Sequence, residues 1–475
     1  MVNKSKILYL IHKINVIFIK YLSQISMKKI IKYSLLLVVL ALVYVVYTNY
    51  TRLDIITGFS AKSVCSCTFE AGRDLASIEA GDNDFSPINY AKNKINFEEK
   101  SVTSTIFGLK PRKAVYKEGV GCILLPEKSA KEAPNFHKPT RKISQSTLPY
   151  PYGNSPEKDT LFRNVDEKLL KMAVENAFDC EGYEQIKKTR AVLVLYKDQV
   201  IAEKYAPGFS RETKLLGWSM TKSITSAVLG ILEKQGKIDV SQANLFPEWK
   251  NDNRSKITLN NLLQMNSGLE WNEDYNNISD VTKMLFLAED MSRAQLNKPL
   301  VGEPNNTWNY SSGTTNLLSG FIRNQFKTHQ EYLDFWYAEL IDKIGMNSMT
   351  IETDLAGNYV GSSYSWATAR DWAKFGLLYL HKGNWNGEQL LNESWVKYAA
   401  TPTNGSNGEY GAHFWLNAGG KYPNVPKDLF SCNGYQGQHV FIIPSKDLVI
   451  VRFGLTENPD FDVDTFLKEV LGAIK

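Results

Sequence analysis

Two strand-like pairs stand far apart in this chain, and together they constrain its fold more than any other feature. AVLVLYKDQVIAEKYAPG (191–208) reads as two apolar strands joined at Lys197-Asp198. HVFIIPSKDLVIVRFG (439–454) repeats the pattern around a Pro-Ser-Lys-Asp turn. Apolar residues recur at helical spacing in LFRNVDEKLLKMAVENAF (161–178), and ATARDWAKFGLLYLHKG (367–383) reads as a helix ended by Gly383. A strand pair, a long helical middle and a final strand pair predict an α+β fold. One antiparallel sheet is built from both chain ends, with helices packed against it. This globular domain is expected over 161–475.

The N-terminal third is organised differently. Tyr33 to Thr51 carries no charge, with Lys28, Lys29 and Lys32 before it and Arg52 after it. As a helix it spans roughly 28 Å, close to the ~30 Å hydrocarbon core of a bilayer. The lysines predict that residues 1–32 stay in the cytoplasm and that the rest of the chain lies on the other side. No small-residue cleavage site follows closely, so 33–51 reads as a transmembrane signal anchor. Met27, directly before Lys28, is an alternative start. VTSTIFGL (102–109) and KAVYKEGVGCILL (113–125) suggest strands, and 52–125 is expected to form a small unit of its own. Residues 126–160, rich in proline and lysine, read as a linker or an extended surface wrap.

Composition excludes several function classes. A chain 43% hydrophobic and 22% charged is globular rather than disordered. A net charge of +5 without a basic block argues against nucleic acid as a partner. None of the six histidines stands at metal-ligand spacing from another, which argues against a zinc hydrolase; no cofactor and no metal are expected. The five cysteines all follow the anchor, in a compartment that permits disulfides; Cys65 or Cys67 is positioned to pair with Cys122.

The chemistry-bearing candidate is Ser219 with Lys222, in GWSMTKSITSAVLG (217–230). S-x-x-K alone is a cheap pattern, present also at Ser26/Lys29, Ser155/Lys158 and Ser394/Lys397. Only Ser219 is followed by a helix that is small or apolar on nearly every face, which predicts burial. Residues three apart share a helix face, so Lys222 lies one turn deeper beside the Ser219 hydroxyl. Burial disfavours the charged amine. Moving a lysine pKa from ~10.4 to ~7.5 takes roughly 4 kcal/mol of differential destabilisation. The neutral amine then accepts the serine proton as the hydroxyl attacks a carbonyl. The competing reading is a lysine that snorkels to the surface. No G-x-S-x-G elbow surrounds any serine, which argues against an α/β-hydrolase.

Together with LLQMNSGLEW (262–271), WNYSSGTTNLLSG (308–320), GSSYSWATARDWAKFGLLYL (361–380) and GYQGQHVFIIPSKDLVIVRFG (434–454), this stretch resembles the serine β-lactamase and penicillin-binding-protein superfamily. It is most similar to the class C-related branch with esterases and aminohexanoate-dimer hydrolases. The resemblance covers roughly 160–475 and implies an all-helical subdomain beside the sheet. It implies Ser219 as acyl-forming nucleophile, Lys222 as its proton partner, and Tyr310 as the tyrosine that shares the proton. A phenol beside an ammonium is expected to have a lowered pKa, so that the two act as one base. Ser312 matches the third position of the Tyr-Ser-Ser motif, its alternative role being to cap the helix that follows. Tyr435-Gln436-Gly437 is read as the third motif on the strand lining the site, without the family's cation. Tyr435 and Gly437 are then substrate-binding, and the Gln438 backbone N–H pairs with that of Ser219 as an oxyanion hole. His439 is expected on the opposite face of the strand.

The function expected is a membrane-anchored extracytoplasmic serine hydrolase that cleaves a small or short-peptide amide or ester. The alternatives are a penicillin-binding-protein-like sensor with little turnover, and an interaction module whose working part is 52–125.

Overall fold

A computed structural model of the chain describes residues 9, 12–13, 27–126, 137–158, 160–179, 186–456 and 460–475. Ser26, Cys180 and residues 127–136 of the expected linker lie outside them. The chain divides into two compact units, Met1–Leu53 and Asp54–Lys475.

The first unit holds most of helix α1 (Met27–Phe69), which has 43 residues. The helix expected over 33–51 is present and continues past Arg52. Its most apolar window has a mean hydropathy of 2.3 with none of it buried, so by length and composition α1 is able to cross a membrane.

In the second unit, the part of α1 from Asp54 onward lies along a four-stranded antiparallel sheet. Its strands are β1 (Ala91–Asn96), β2 (Ser101–Ile106), β3 (Leu109–Lys117) and β4 (Gly121–Leu124), paired in chain order. A disulfide between Cys65 and Cys122 ties α1 to β4, and Cys67 is left as a buried thiol. The segment 52–125, expected as a unit of its own, is packed from Asp54 on into the same compact body as the rest. Buried polar contacts explain why. Lys62 pairs with Glu352 at 2.6 Å, and Glu352 also accepts from Ser66 at 2.7 Å and from the Cys122 N–H at 2.8 Å. Arg190 donates to Asp82 at 2.8 Å. Residues 137–158 form an irregular wrap. Arg141 donates to Asp342 at 2.7 Å and to Met349 O at 2.9 Å, and the Tyr150 hydroxyl donates to Arg370 O at 2.9 Å.

Helix α2 (Glu167–Asn176) starts at Asp166, whose side chain caps the Leu169 N–H. It leads into β5 (Thr189–Tyr196) and β6 (Gln199–Tyr205), joined at Lys197-Asp198. The C-terminal part adds β7 (Trp415–Leu416), β8 (Phe430–Gly434), β9 (Gln438–Ile443) and β10 (Leu448–Gly454). The order is β7-β8-β9-β10-β5-β6, every pair antiparallel. The central strands β5, β9 and β10 are buried at every position and mostly apolar because both faces are covered. Leu193, Val440 and Val449 face one core; Val194, Phe441 and Ile450 face the other, with α2 and the C-terminal helix Val463–Gly472. On the first face lies the helix Ala369–Leu380, and a β-carbon at its Gly376 would come within 2.7 Å of Val449. Only glycine permits that approach. Beside the sheet sits the helical subdomain. It includes α3 (Thr221–Lys234) and α4 (Ser312–Arg323), whose buried side chains continue the first core.

Candidate active site

Ser219 enters on a single 3-10 turn, Trp218–Met220, that runs directly into α3. Trp218 has φ 47°, the left-handed region that a side chain disfavours. Three rings hold it there: Phe59 from α1 at 6.2 Å, Tyr364 at 5.9 Å and Tyr435 at 5.6 Å between centroids. The strain, on the order of 1–3 kcal/mol, is sustained by this packing.

Lys222 follows one turn deeper and is 2% exposed, so it does not snorkel. Its amine lies 2.9 Å from Ser219 Oγ, 2.9 Å from Ser312 Oγ and 3.0 Å from Ser362 O. No carboxylate of the described residues ion-pairs with it. Burial lowers its pKa from 10.5 to about 8, while the Glu273 carboxylate acts in the opposite sense.

Tyr310 lies on the other side of the serine. The Lys222 amine stands 4.9 Å from its ring centroid, and the Tyr310 hydroxyl is close enough to Ser219 for that side chain to favour the ionised phenol. The ring packs against Trp415 at 5.2 Å and Tyr410 at 5.7 Å. The lowered phenol pKa expected from a neighbouring ammonium is not found. Burial pushes Tyr310 well above its ordinary value, and Glu273 pushes the same way. The phenol is therefore a proton donor and relay at neutral pH rather than a standing phenolate.

Ser312 does not cap α4; that role falls to Ser311, which accepts from the Thr314 N–H. Ser312 is thereby free to bridge Lys222 and Glu273. It donates its hydroxyl to Glu273 Oε1, and its N–H donates to Glu273 Oε2 at 2.9 Å. The Trp271 indole N–H and the Tyr275 hydroxyl also donate to Glu273. Trp271 fits against the first turn of α4 because position 313 is glycine, where a β-carbon would come within 2.4 Å of the indole. Glu273 is the functional-site carboxylate that sequence reading missed. It lies two residues beyond the LLQMNSGLEW stretch, in a loop where nothing in a single sequence separates it from solvated neighbours such as Asp274.

The third motif is shifted. Tyr435-Gln436-Gly437 is not strand but the turn between β8 and β9, closed by Gly437 N–H to Gly434 O at 3.2 Å. The glycine that meets the nucleophile turn is Gly434, where a β-carbon would come within 2.2 Å of Gly217 O. Gly437 instead accepts from Arg452 at 2.7 Å through its carbonyl. Gln438 pairs with Gly434 in the ladder, and its side-chain amide donates to Tyr435 O and Gly454 O. Neither Gly437 nor Gln438 has a described hydrogen bond to Ser219. Tyr435 does reach the site, stacked on Tyr275 at 5.0 Å and edge-on to Trp218. His439 shares a face with Phe441, their rings 4.8 Å apart. The structure thus brings together Ser219, Lys222, Tyr310, Ser312 and Tyr435.

An antiparallel sheet beside a helical subdomain, with serine and lysine one turn apart between them, defines a serine hydrolase of the S-x-x-K kind. Residues 131–470 match the Beta-lactamase family model, and the chain belongs to that family. A 6-aminohexanoate-dimer hydrolase from Paenarthrobacter ureafaciens is 26% identical over 303 residues, 57% of this chain and 74% of that protein. Among solved structures, a Bacillus anthracis protein described as a 6-aminohexanoate-dimer hydrolase shares the fold. Its TM-score is 0.53 at 23% identity, over 64% of this chain and 81% of that one. EstCE1, a hydrolase with promiscuous acyltransferase activity, shares it with a TM-score of 0.53 at 13% identity, over 65% of this chain and 99% of that one.

Proposed function

We propose that this protein cleaves amide or ester bonds of small substrates through an acyl-enzyme on Ser219, with its catalytic unit held at the outer surface of a membrane by α1. The observation that carries the reading is the buried amine of Lys222, 2.9 Å from the serine hydroxyl and, among the described residues, without an ion-paired carboxylate. In its neutral form the amine accepts the Ser219 proton while Oγ attacks the substrate carbonyl. The new oxyanion is received by N–H groups at the start of α3, aided by the helix dipole, and by the Gly434–Gly437 turn. Tyr310 passes its proton to the leaving amine or alcohol and recovers one from Lys222. Water then attacks the acyl carbonyl, its proton leaving along the same pair, and Ser219 is regenerated.

Short linear amides fit better than β-lactams. The relative from Paenarthrobacter ureafaciens is named for an amide dimer. The third-motif region, Cys432 to Gln438, carries no lysine or arginine to hold a substrate carboxylate. The aromatic wall of Tyr275, Tyr435 and Trp218 suits an apolar acyl chain. Three lysines before the apolar stretch favour a cytoplasmic N-terminus, and the Cys65–Cys122 disulfide fits an oxidising compartment outside.

The test is labelling with a fluorescent serine-reactive phosphonate, together with turnover of nitrophenyl esters and a 6-aminohexanoate dimer. Wild type labels and turns over repeatedly; Ser219→Ala does neither. Equal labelling of both removes Ser219 from the mechanism. A single acylation without turnover favours the penicillin-binding-protein-like sensor.

A further inference from the structure

We propose that the tip between β2 and β3 docks on the bilayer that receives α1, with Phe107, Leu109 and Tyr90 seated at the boundary between headgroups and acyl chains. The inference rests on the membrane reading above.

The four-stranded sheet has two unlike ends. At one end Phe107 is 75% exposed, Tyr90 55% and Leu109 52%. The pairing of Ala91 with Ile106 sets Tyr90 beside Phe107, their rings 6.4 Å apart. The turn there, Phe107-Gly108-Leu109, carries no charge. At the other end the turn between β1 and β2 is Phe97-Glu98-Glu99-Lys100, with two carboxylates. That end also exposes Phe97, 70% accessible, but sets it among charges. The other exposes a cluster of apolar rings and a leucine, as membrane-interface segments do.

An exposed apolar cluster does not name its own occupant, but here the tether does. Lys110, directly after Leu109, pairs with Asp54 at 2.9 Å, and Arg112 reaches Asp54 O at 3.5 Å. Asp54 stands three residues beyond Thr51, where the uncharged stretch ends. Three residues of chain reach no more than about 11 Å. A bilayer that holds 33–51 therefore has its surface within that distance of Asp54, at any angle between helix and sheet. The acidic end is far from the tether within the same body: Phe69 contacts Phe97 at 6.0 Å and lies 15 helical residues beyond Asp54, roughly 23 Å along the axis. The uncharged end is thus the one tethered beside the lipid, and docking would turn the acidic end away from it. A docked tip would restrict how the hydrolase body swings on its anchor.

The experiment uses the full chain, reconstituted in vesicles of phosphatidylcholine and phosphatidylglycerol. An environment-sensitive thiol dye is placed at one of three positions, Phe107→Cys, Phe97→Cys or Leu40→Cys, in a Cys180→Ser background; Cys67 and Cys432 are buried. Doxyl-labelled lipid is the quencher. Docking predicts that dyes at 107 and 40 lose most of their emission, whereas the dye at 97 keeps it. Leu109→Cys serves as a second probe of the tip, and hydrolysis of a soluble ester at the wild-type rate shows that each variant is folded. Quenching at 40 with a water-exposed, unquenched dye at 107 overturns the docking while the anchor stands. A blue-shifted dye at 107 that ignores the quencher means a second copy or another protein covers the tip, and also overturns it. No quenching at 40 removes the anchor, and the docking with it.

Discussion

The amine of Lys222 lies 2.9 Å from the hydroxyl of Ser219, inside a core where Lys222 is 2% exposed. That pairing sets the pH response of the enzyme. The general base is the neutral amine, and its pKa of about 8 means that the active form gains population as pH rises through 8. Below that value kcat/KM on a neutral ester should rise about tenfold per pH unit and then level off. Lys222→Ala should lose roughly 10²–10⁴-fold in activity and the dependence with it. A flat profile between pH 6 and 9 in wild type would exclude the amine as the base.

The same shift is written into stability. The folded pKa of Lys222 is below its ordinary 10.5, so between about 8 and 10.5 the unfolded chain binds more protons than the folded one. Stability contributed by this group therefore rises with pH across that window, and below about 8 the cost of the buried cation is constant. A shift of about 2.5 units corresponds to about 3 kcal/mol as an upper bound. Urea denaturation at pH 8 and pH 10 should show a larger gain in wild type than in Lys222→Met, where only other buried amines such as Lys62 contribute.

Glu273 supplies the opposing field. It raises the pKa of Lys222 and of Tyr310, acting across the Ser312 bridge. Glu273→Gln keeps the volume and removes the charge, so the acidic limb of the pH profile should move to lower pH. A carboxylate that only ordered the loop would lower activity at every pH without moving the limb.

Much of this was legible in the residues, and the illegible parts share a cause. Strand pairs at 191–208 and 439–454 show themselves because unbroken apolar runs and turn residues are local. Ser219 and Lys222 show themselves because burial of α3 is visible in its unbroken run of small and apolar side chains. Glu273 was hidden, since its importance comes from Ser312, 39 residues away. Which glycine meets the nucleophile turn was hidden for a related reason. Gly434 and Gly437 both stand beside a strand, and only the approach of Gly217 O tells them apart. The phenol pKa departs from expectation because burial, the larger cause, and the hidden Glu273 carboxylate both raise it. Residues 52–125 read as separate because their ties to the hydrolase run through Glu352 and Arg190, far along the chain.

Phe59 belongs to α1 yet packs on the residue before the nucleophile. With Trp218 held at a positive φ by three rings, loss of one should relax the turn and displace Ser219. Phe59→Ala should destabilise by about 2–3 kcal/mol, as a half-buried aromatic truncation does. At a temperature where the variant is folded, kcat should fall more than KM changes, and Phe59→Trp should restore much of it. A loss of stability with kcat unchanged would confine Phe59 to packing.

The Lys62–Glu352 pair tests whether the small sheet and the hydrolase unfold as one body. Glu352 is fully buried and accepts from Lys62, Ser66 and the Cys122 N–H, so it joins α1 and β4 to the strand segment at Thr350–Ile351. Burial lowers the Lys62 pKa while Glu352 opposes the shift. Lys62→Met leaves a buried carboxylate without its cation and should cost about 3–5 kcal/mol. The double variant Lys62→Met/Glu352→Gln, which removes both charges, should recover part of that. Lys62 also stands 4.6 Å from the centre of the Tyr364 ring, one of the three that hold Trp218. The single variant should therefore lose hydrolytic rate as well as stability. Denaturation followed by tryptophan emission and by exposure of the Cys67 thiol should give one coincident transition in wild type. Two separated transitions would mean that residues 54–125 fold independently and that the pair is only an external clasp.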